Sequence, residues 1–393
     1  MAVSFFLSYF RGKKAMKDET VALCALNKIF GYTPILAHKL IAARGSATAI
    51  FNGAAPDLPD HPELTEQIDS TTLEWAQKEL ASVEECGCRF IPIGSDDYPT
   101  ALLECEDAPL GLYVRASSSP AEIFSMRPMV GIVGTRDVSP YGSIWCKRIV
   151  AALADAPVKP CIVSGLAFGV DGIAHAAALE HGLTTIGVMA TGIEKVYPWQ
   201  HTDLARRIVD TPGSALVTDY PSGTSPVALN FVRRNRIIAG LASSVIVVES
   251  RKKGGSLMTA RYACDYNRDV FAVPGRLDDV RSSGCNSLIS SHMAEIVTSP
   301  EELVESLGLQ PRHRLRRDRR ATFARALDAH YKGNSARSAV GLCVFDNPGV
   351  GFAEIAGLTS LPYATVLECA GILEADGFIT TDILQRCSAG GKW

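Results

Sequence analysis

Between residues 88 and 305, short apolar runs of strand length alternate with segments whose apolar residues recur at helical spacing. The runs predict strands at 129–133, 161–164, 185–189, 215–219, 245–249 and 270–273. The helical segments between them are 144–154, 173–181, 203–209, 230–242 and 257–266. This alternation is typical of an α/β fold in which helices cover both faces of a parallel sheet. Ligands of such sheets bind beyond the carboxyl ends of the strands, so the residues after each strand are candidates for function.

The chain has a different pattern on either side of this region. Residues 17–80 have helical spacing interrupted by glycines, which predicts a small helical domain of the SAM or helix-hairpin-helix type. Residues 338–384 have the pattern of helices followed by a hairpin, which is the outline of a winged helix. Residues 311–320 contain six arginines and predict an exposed linker or basic arm. We therefore expect a helical domain at 1–80, a sheet domain at 81–308, a linker at 309–335 and a winged-helix domain at 336–393.

The last two parts leave their roles open. The arginine-rich linker is either a solvated tether or a contact for nucleic acid. Many winged helices bind DNA in a groove, yet the expected second and third helices here carry Glu354, Glu368 and Glu374 and no arginine. A protein partner is therefore at least as reasonable for this domain as DNA.

The composition limits location and chemistry. The chain of 393 residues is 47% hydrophobic and 21% charged, as globular proteins are, and its net charge of −3 means that any anion site must be a local patch. The eleven cysteines include no C-x-x-C pair, and no metal-ligand spacing is seen, so we expect reduced thiols, no metal site and a cytoplasmic location. The apolar run at residues 3–10 is too short to span a membrane, and we expect no membrane contact.

Glycines and polar side chains follow the expected strands. After the first strand, residues 134–136 read Gly-Thr-Arg: the glycine lets the backbone approach a ligand, and the others supply a hydroxyl and a guanidinium. A tight turn would need the glycine alone, so anion binding is favoured. Gly255 and Ser256 open a helix just after the basic residues 251–253, which predicts a backbone cradle for phosphate.

The loop after the second strand, residues 164–171, reads S-G-L-A-F-G-V-D. Its G-x-x-x-G spacing does not match the G-x-G-x-x-G dinucleotide motif, and the chain has no G-x-x-x-x-G-K-[ST] phosphate loop, which argues against an ATPase. Asp171 and His175 lie four residues apart on the following helix. They are either a catalytic pair or, as we favour, a capping aspartate and a packed histidine.

The segment 230–241, N-F-V-R-R-N-R-I-I-A-G-L, has the most unusual charge pattern. If Asn230 is the N-cap, Arg233 and Arg234 lie in the first turn, where cations oppose the helix dipole. This placement suits a helix end at which an anion binds between N–H groups and guanidinium groups. The alternative is a solvated charged face, with Ile237 and Ile238 burying the other side of the helix.

Together these motifs closely resemble the DNA-processing protein A family. The matching segments, in order, are G-T-R-x-x-S-P-Y-G at 134–142, S-G-L-A-F-G-V-D at 164–171, V-Y-P at 196–198, D-Y-P-S-G at 219–223, N-F-V-R-R-N-R-I-I-A-G-L at 230–241, G-G-S-L-M-T-A-R at 254–261, V-P-G at 273–275 and G-C-N-S-L-I at 284–289. The resemblance implies an extended Rossmann-like domain with a small N-terminal helical domain and a C-terminal winged helix. It also implies a cytoplasmic homodimer that binds single-stranded DNA and loads RecA recombinase onto it in natural transformation, without catalysis or a cofactor.

The same resemblance implies which residues bind DNA. Gly134, Thr135 and Arg136 would hold one phosphate, and Asn230, Arg233, Arg234 and Asn235 the next, while Gly255, Ser256 and Leu257 would offer backbone N–H groups; Gly165 completes the set. Phe231 either stacks on a base or anchors its helix in the core, and the sequence favours neither. Such a groove follows the backbone and reads little sequence.

The chain departs from the family pattern at several positions. The family usually has a basic residue where Phe168 stands, and Asp219, Val232 and Gly254 are milder departures. Phe168 either removes a phosphate contact or adds a stacking surface. Residues 289–294 differ in a region that resembles the family's dimer contact, so the dimer surface is less well defined than the DNA groove.

Two other functions compete with DNA binding. A nucleotide phosphoribohydrolase of the lysine-decarboxylase-like type has a similar sheet and a P-G-G-x-G-T-x-x-E loop, but Arg261 and Tyr262 stand here where its catalytic glutamate is needed. Hydrolysis of an N-glycosidic bond needs such a carboxylate, so we expect no enzyme activity. The third hypothesis is a winged-helix regulator whose α/β domain senses a small nucleotide.

Overall fold

The computed structural model describes residues 13–53, 56, 58–124, 127–309, 312–382 and 385–390. They form two compact units, Met1–Leu309 and Gln310–Trp393. The helices expected as a separate domain at 1–80 thus lie in the same unit as the sheet. Leu23, Leu26 and Phe30 are buried in a hydrophobic cluster that also contains Leu112 and Val114 of the sheet, which explains why this part does not separate.

Short capped helices build the N-terminal part of the first unit. Their bounds are α1 Lys13–Phe30, α2 Pro34–Arg44, α3 Ala47–Asn52, α4 Pro62–Thr65 and α5 Ser70–Glu85. Gly45 ends α2 in the left-handed conformation, and the Ser46 side chain accepts a hydrogen bond from Ala49 N as the N-cap of α3. The Glu19 carboxylate accepts the backbone N–H of Ala47 and so ties α1 to the start of α3.

One sheet runs through the first unit. Its strands are β1 Cys88–Pro92, β2 Gly111–Arg115, β3 Met129–Val133, β4 Cys161–Ser164, β5 Thr185–Val188, β6 Ala215–Thr218, β7 Ser244–Val247, β8 Asp269–Ala272 and β9 Glu295–Ile296. Their order is β1-β2-β6-β5-β4-β3-β7-β8-β9, antiparallel at β1, β2 and β6 and parallel from β6 onward. This is a largely parallel, Rossmann-like sheet, and each predicted strand lies within about two residues of an observed one.

Helices connect these strands. Their bounds are α6 Thr100–Leu103, α7 Pro120–Ile123, α8 Pro140–Asp155, α9 Val170–Glu180, a 3₁₀ turn Trp199–His201, α10 Thr202–Asp210, α11 Ala228–Leu241, α12 Ser256–Asp265, α13 Ser283–Ser290 and α14 Pro300–Ser306. Successive residues of β3 point to opposite faces of the sheet. Val133 lies in a hydrophobic cluster with residues of α11 and α12, whereas Ile132 lies in a cluster with residues of α8 and α9. Burial on both faces explains the continuous apolar strands.

The chain reverses its direction across the sheet at β3. It passes from β3 to β4, β5 and β6 on one side, and α11 then carries it back to β7 on the other side of β3. The loops that leave β3 and β7 at their carboxyl ends therefore diverge and leave a crevice. Doubly wound sheets bind their ligands at this switch point.

The second unit is smaller and has its own core. It contains α15 Arg312–Tyr331, α16 Ser335–Asp346, β10 Val350–Gly351, α17 Phe352–Thr359, α18 Tyr363–Ala375, β11 Ile379–Thr381 and β12 Arg386–Ala389. The strands pair antiparallel in the order β10-β12-β11. The expected linker at 309–335 is wrong, because residues 312–331 form α15, whose Phe323 and Leu327 are fully buried in this core. Within the described ranges no single helix is long and apolar enough to cross a membrane, although the bent pair α17 and α18 would be by length and composition together.

His175 on α9 is packed, as we favoured. It is fully buried, and its Nδ1 lies 2.7 Å from Thr185 Oγ1 of β5. Burial lowers the pKa of His175 to about 3, so the ring stays neutral in the folded protein. Asp171 is also buried, but it lies inside the first turn of α9 and accepts a hydrogen bond from Ala167 N, which precedes the helix; the N-cap is Gly169, so the capping role that we favoured for Asp171 is wrong.

This burial predicts an acid-sensitive fold. The unfolded chain protonates His175 near pH 6.5 and the folded chain only near 3, so its contribution to stability is complete above pH 6.5 and is lost as the pH falls toward 3. The loss should approach about 1.4 kcal/mol per pH unit within that window. Urea unfolding of the wild type and of His175→Gln at a series of pH values should show a shallower slope for the variant. His181→Gln, on an exposed histidine just after the same helix, is the control; equal slopes for the wild type and His175→Gln would contradict the account.

Candidate nucleic-acid interface

A cavity of about 550 Å³ lies at the switch point between β3 and β7. The loop after β3, the start of α9, one face of α11 and the loop before α12 form its walls. Eight of the twelve expected DNA-binding residues line it, namely Gly134, Thr135, Arg136, Phe231, Arg234, Asn235, Gly255 and Ser256. The structure places the other four, Gly165, Asn230, Arg233 and Leu257, outside this lining.

A buried glutamate fixes the loop after β3. Glu249 is only 1% exposed. Its backbone oxygen accepts a hydrogen bond from Thr135 N over 2.7 Å. Its carboxylate accepts the Ser139 hydroxyl over 2.6 Å and the Ser139 N–H over 2.8 Å. Glu249 thus holds the loop that presents Arg136, a role that the sequence interpretation missed. The acidic residue at the end of an apolar strand was the available signal.

The glycines of the site serve two purposes. A Cβ on Gly134 would lie 2.4 Å from Val170 Cγ2, and one on Gly165 would lie 2.5 Å from Asp171 Oδ2, so internal packing requires both glycines. Internal packing alone accounts for Gly134, which also lines the cavity, so its expected role in the approach of a ligand stays a prediction. A Cβ on Gly255 would meet no atom within 4 Å, so here the backbone itself faces open space.

The helix α11 begins two residues earlier than predicted. Its N-cap is Val227, and Asn230 lies inside the first turn, fully buried. The Asn230 side chain accepts a hydrogen bond from the Tyr32 hydroxyl over 2.6 Å and donates one to Ser225 O over 3.3 Å. The predicted N-cap role of Asn230 is wrong, because this side chain joins α11 to the N-terminal helices instead.

The rotation of α11 about its axis decides which of its residues face the cavity. Phe231, Arg234, Asn235 and Ile238 recur at helical spacing and line it together. The Arg233 guanidinium lies on another side of the helix, 4.6 Å from the centroid of the Tyr32 ring, and lines a separate cavity of about 460 Å³. The expectation that Arg233 faces the same ligand as Arg136 is not what the structure shows.

Arg234 forms the floor of the cavity. It is 3% exposed, and its guanidinium donates hydrogen bonds to Gly165 O over 2.5 Å and to Val188 O. Burial lowers the pKa of Arg234 to about 10, while the nearby charge of Asp171 opposes this shift. At this pKa Arg234 remains charged at neutral pH and adds positive potential from below, while its Nε and Nη1 donate within the protein, Nε to Asn235 Oδ1 over 3.2 Å.

Exposed cations and aromatic rings form the mouth. The Arg136 guanidinium lies 4.7 Å from the centroid of the Phe231 ring, and the Tyr197 ring lies 5.5 Å from the Phe231 ring on the same wall. Phe231 therefore stands at the cavity and not in the core. Tyr197 is 44% exposed and was not expected as a site residue, although it belongs to the V-Y-P motif.

The loop before α12 completes the mouth. Gly255 and Ser256 stand at the start of the helix, where the first N–H groups have no acceptor within the helix. The Asn235 side chain donates to Gly255 O over 3.3 Å and joins this loop to α11. Arg251 and Lys253 add exposed positive charge to the lining. Leu257 packs against the hydrophobic core instead.

The fold and the cavity define a Rossmann-like α/β protein with a cationic, aromatic site suited to phosphate groups. A family model described as DNA recombination-mediator protein A matches residues 89–308. The chain belongs to the DNA recombination-mediator protein A family. The resemblance seen in the motifs is confirmed.

Relatives and a solved structure agree with this assignment. The chain is 39% identical to Protein Smf of Escherichia coli over 231 residues, which are 59% of this chain and 60% of that protein. It is 38% identical to the DNA processing protein DprA of Bacillus subtilis over 230 residues, 58% of this chain and 74% of the relative. The X-ray structure of DprA from Streptococcus pneumoniae matches with a TM-score of 0.58 at 30% identity, over 75% of this chain and 98% of that one.

The placement of Arg234 predicts a loss of stability rather than a loss of one ligand contact. Arg234→Ala removes two hydrogen bonds to buried carbonyls and leaves Asp171 without its neighbouring charge. We expect the free energy of unfolding to fall by about 3 kcal/mol, measured by urea titration. Arg136→Ala, at an exposed position, should cost less than about 1 kcal/mol. Equal losses of unfolding free energy in the two variants would refute the structural role of Arg234.

Proposed function

We propose that this chain binds single-stranded DNA at the cavity between β3 and β7. It receives incoming single strands during natural transformation, protects them and loads RecA recombinase onto them. Membership of the DNA recombination-mediator protein A family supports this function, as do relatives named for DNA processing. The chain covers about 60% of the Escherichia coli relative, so the whole-protein activity is part of the proposal.

The observation that carries the proposal is the contact between Arg136 and Phe231 at the mouth of the cavity. A guanidinium group binds phosphate, and the half-buried Phe231 ring at the mouth offers a surface on which a base can stack. In a duplex the bases stack on one another, whereas a single strand can turn its bases toward Phe231 and Tyr197. The N–H groups at Gly255 and Ser256 would take a further phosphate.

The cavity offers little for the competing hydrolase. Among the described residues that line it, the one acidic side chain is Asp171. This carboxylate is buried near Arg234 and accepts Ala167 N–H, so it is not placed to activate a water molecule at the mouth. We therefore propose a binding protein without a catalytic step or a cofactor.

The second unit has a proposed role of its own. The helices α16, α17 and α18 with the antiparallel strands β10, β12 and β11 support its assignment as a winged helix. The acidic residues Glu354, Glu368 and Glu374 favour a protein partner over DNA for this unit. We further propose that the protein is a homodimer, because each binding site alone supplies a modest number of contacts with DNA and two linked sites bind more tightly. We propose that it acts in the cytoplasm.

Arg136→Ala should weaken the binding of fluorescently labelled oligo-dT by about 10- to 100-fold, since it removes a charge-assisted contact at the mouth. Fluorescence anisotropy without Mg²⁺ or nucleotide measures the affinity. Arg148→Ala is the matched control, because Arg148 is also exposed and lies over an aromatic ring, at 5.4 Å from the Trp145 centroid, but outside the cavity lining. It should bind as the wild type does.

With Arg136 and Lys253 neutralising about two phosphates, since Arg251 is paired with Asp137, the logarithm of the affinity should fall with the logarithm of the salt concentration with a slope of roughly −1.4. Equal affinity for duplex and single strand, or equal affinity of Arg136→Ala and Arg148→Ala, would refute the proposal. Release of a free base from a nucleoside monophosphate would favour the hydrolase instead.

A further inference from the structure

Phe168 is an exposed aromatic residue next to the cavity but outside its lining. Its side chain is 42% exposed, in the loop between β4 and α9. A single exposed apolar side chain is common on protein surfaces, so its exposure alone assigns it no role. The question is whether the loop holds this ring in place or merely leaves it there.

The backbone holds the loop firmly. Gly169 has a φ of +76°, and a Cβ there would lie 2.2 Å from Thr135 O, so the loop packs directly on the backbone that precedes Arg136. Val170 N donates to Thr135 O over 3.2 Å at the same contact. Leu166 is buried with a φ of 57°, a conformation that a leucine rarely adopts. Phe168 lies between Leu166 and Gly169, so a strained and well-packed loop holds its ring exposed to solvent.

A histidine supports the Phe168 ring from one side. The His201 ring lies edge-on to it with centroids 5.2 Å apart. His201 Nδ1 lies 2.9 Å from Leu166 O, and a Cβ on Gly172 would lie only 2.8 Å from His201 Cε1, so the imidazole is fixed in position. The other face of the pair is open to a groove of about 740 Å³.

This groove is continuous with the cavity through one side chain. Arg136 lines both. Lys147 of α8, exposed, adds a second positive charge to the groove. Two acidic residues also line it: the Asp137 carboxylate is already paired with Arg251 over 2.9 Å and with Arg281 over 3.0 Å, and Glu180 is exposed at the end of α9.

We propose that this groove is a second nucleotide subsite, in which a base stacks on Phe168 while the adjoining phosphate lies between Arg136 and Lys147. The proposal rests on the proposed function, because the occupant is the next nucleotide of a strand already held in the cavity. Continuity through Arg136 favours that occupant, since a strand that leaves the cavity past this guanidinium enters the groove. The unpaired base faces of a single strand match the exposed ring, and its phosphates match the two cations.

The test compares short and long oligo-dT on the full chain. An oligonucleotide of about four nucleotides should bind wild type and Phe168→Ala equally, whereas one of about eight should bind Phe168→Ala about 5- to 10-fold more weakly. Phe168→Trp should restore the affinity for the longer strand, because it keeps a stacking surface. Tyr363→Ala, an exposed aromatic residue of the second unit, is the matched control and should change neither affinity.

A set of longer strands with one abasic site each, at successive positions, isolates the stacking. One of these positions should weaken binding to the wild type but not to Phe168→Ala. Equal affinities of wild type and Phe168→Ala for the longer strand, or equal losses for both strand lengths, would overturn the subsite while short-strand binding still supports the cavity. If the wild type binds neither strand, or Arg136→Ala binds the short strand normally, the proposed function itself fails.

Discussion

The buried guanidinium of Arg234 is the contact on which the site depends. It bonds Gly165 O, just after β4, and Val188 O, at the end of β5, and so holds α11 across the carboxyl ends of two strands. A buried charge is costly unless its donors are satisfied and an opposite charge is near, and Asp171 supplies that charge. With α11 fixed at this point, Phe231 and Asn235 face the cavity while Arg233 is turned toward Tyr32.

A second buried contact fixes the opposite wall. Glu249 at the end of β7 holds the loop after β3 through both its backbone and its carboxylate. The loop after β3 and the helix α11 are therefore held at a constant separation, which brings Arg136 over the ring of Phe231. A preformed contact of this kind reduces the entropy that a side chain loses on binding. The exposed groups of the mouth can then act on a strand without first being ordered.

The sequence was sufficient to predict the sheet and a site at the ends of its strands. Continuous apolar strands identify a buried parallel sheet. That the loops after β3 and β7 flank one crevice follows from the neighbouring positions of those strands, which only the structure shows. It was not sufficient to assign the arginines of α11, since adjacent residues of a helix point about 100° apart and the rotation of the helix about its axis is set by tertiary contacts such as those of Arg234. Arginine density likewise concealed α15, whose helical signal lies in Phe323 and Leu327. Glu249 and Tyr197 were missed because their roles come from tertiary contacts.

The central claim is that a single strand lies in the switch-point cavity with a base against Phe231 and Tyr197. Photo-cross-linking tests it most directly, with an oligo-dT in which one thymine is replaced by 5-iodouracil and with mass-spectrometric mapping of the attached residue. The account predicts cross-links at Phe231 or Tyr197, which are lost when unlabelled oligo-dT competes. Cross-links confined to the second unit, or resistant to that competitor, would contradict it.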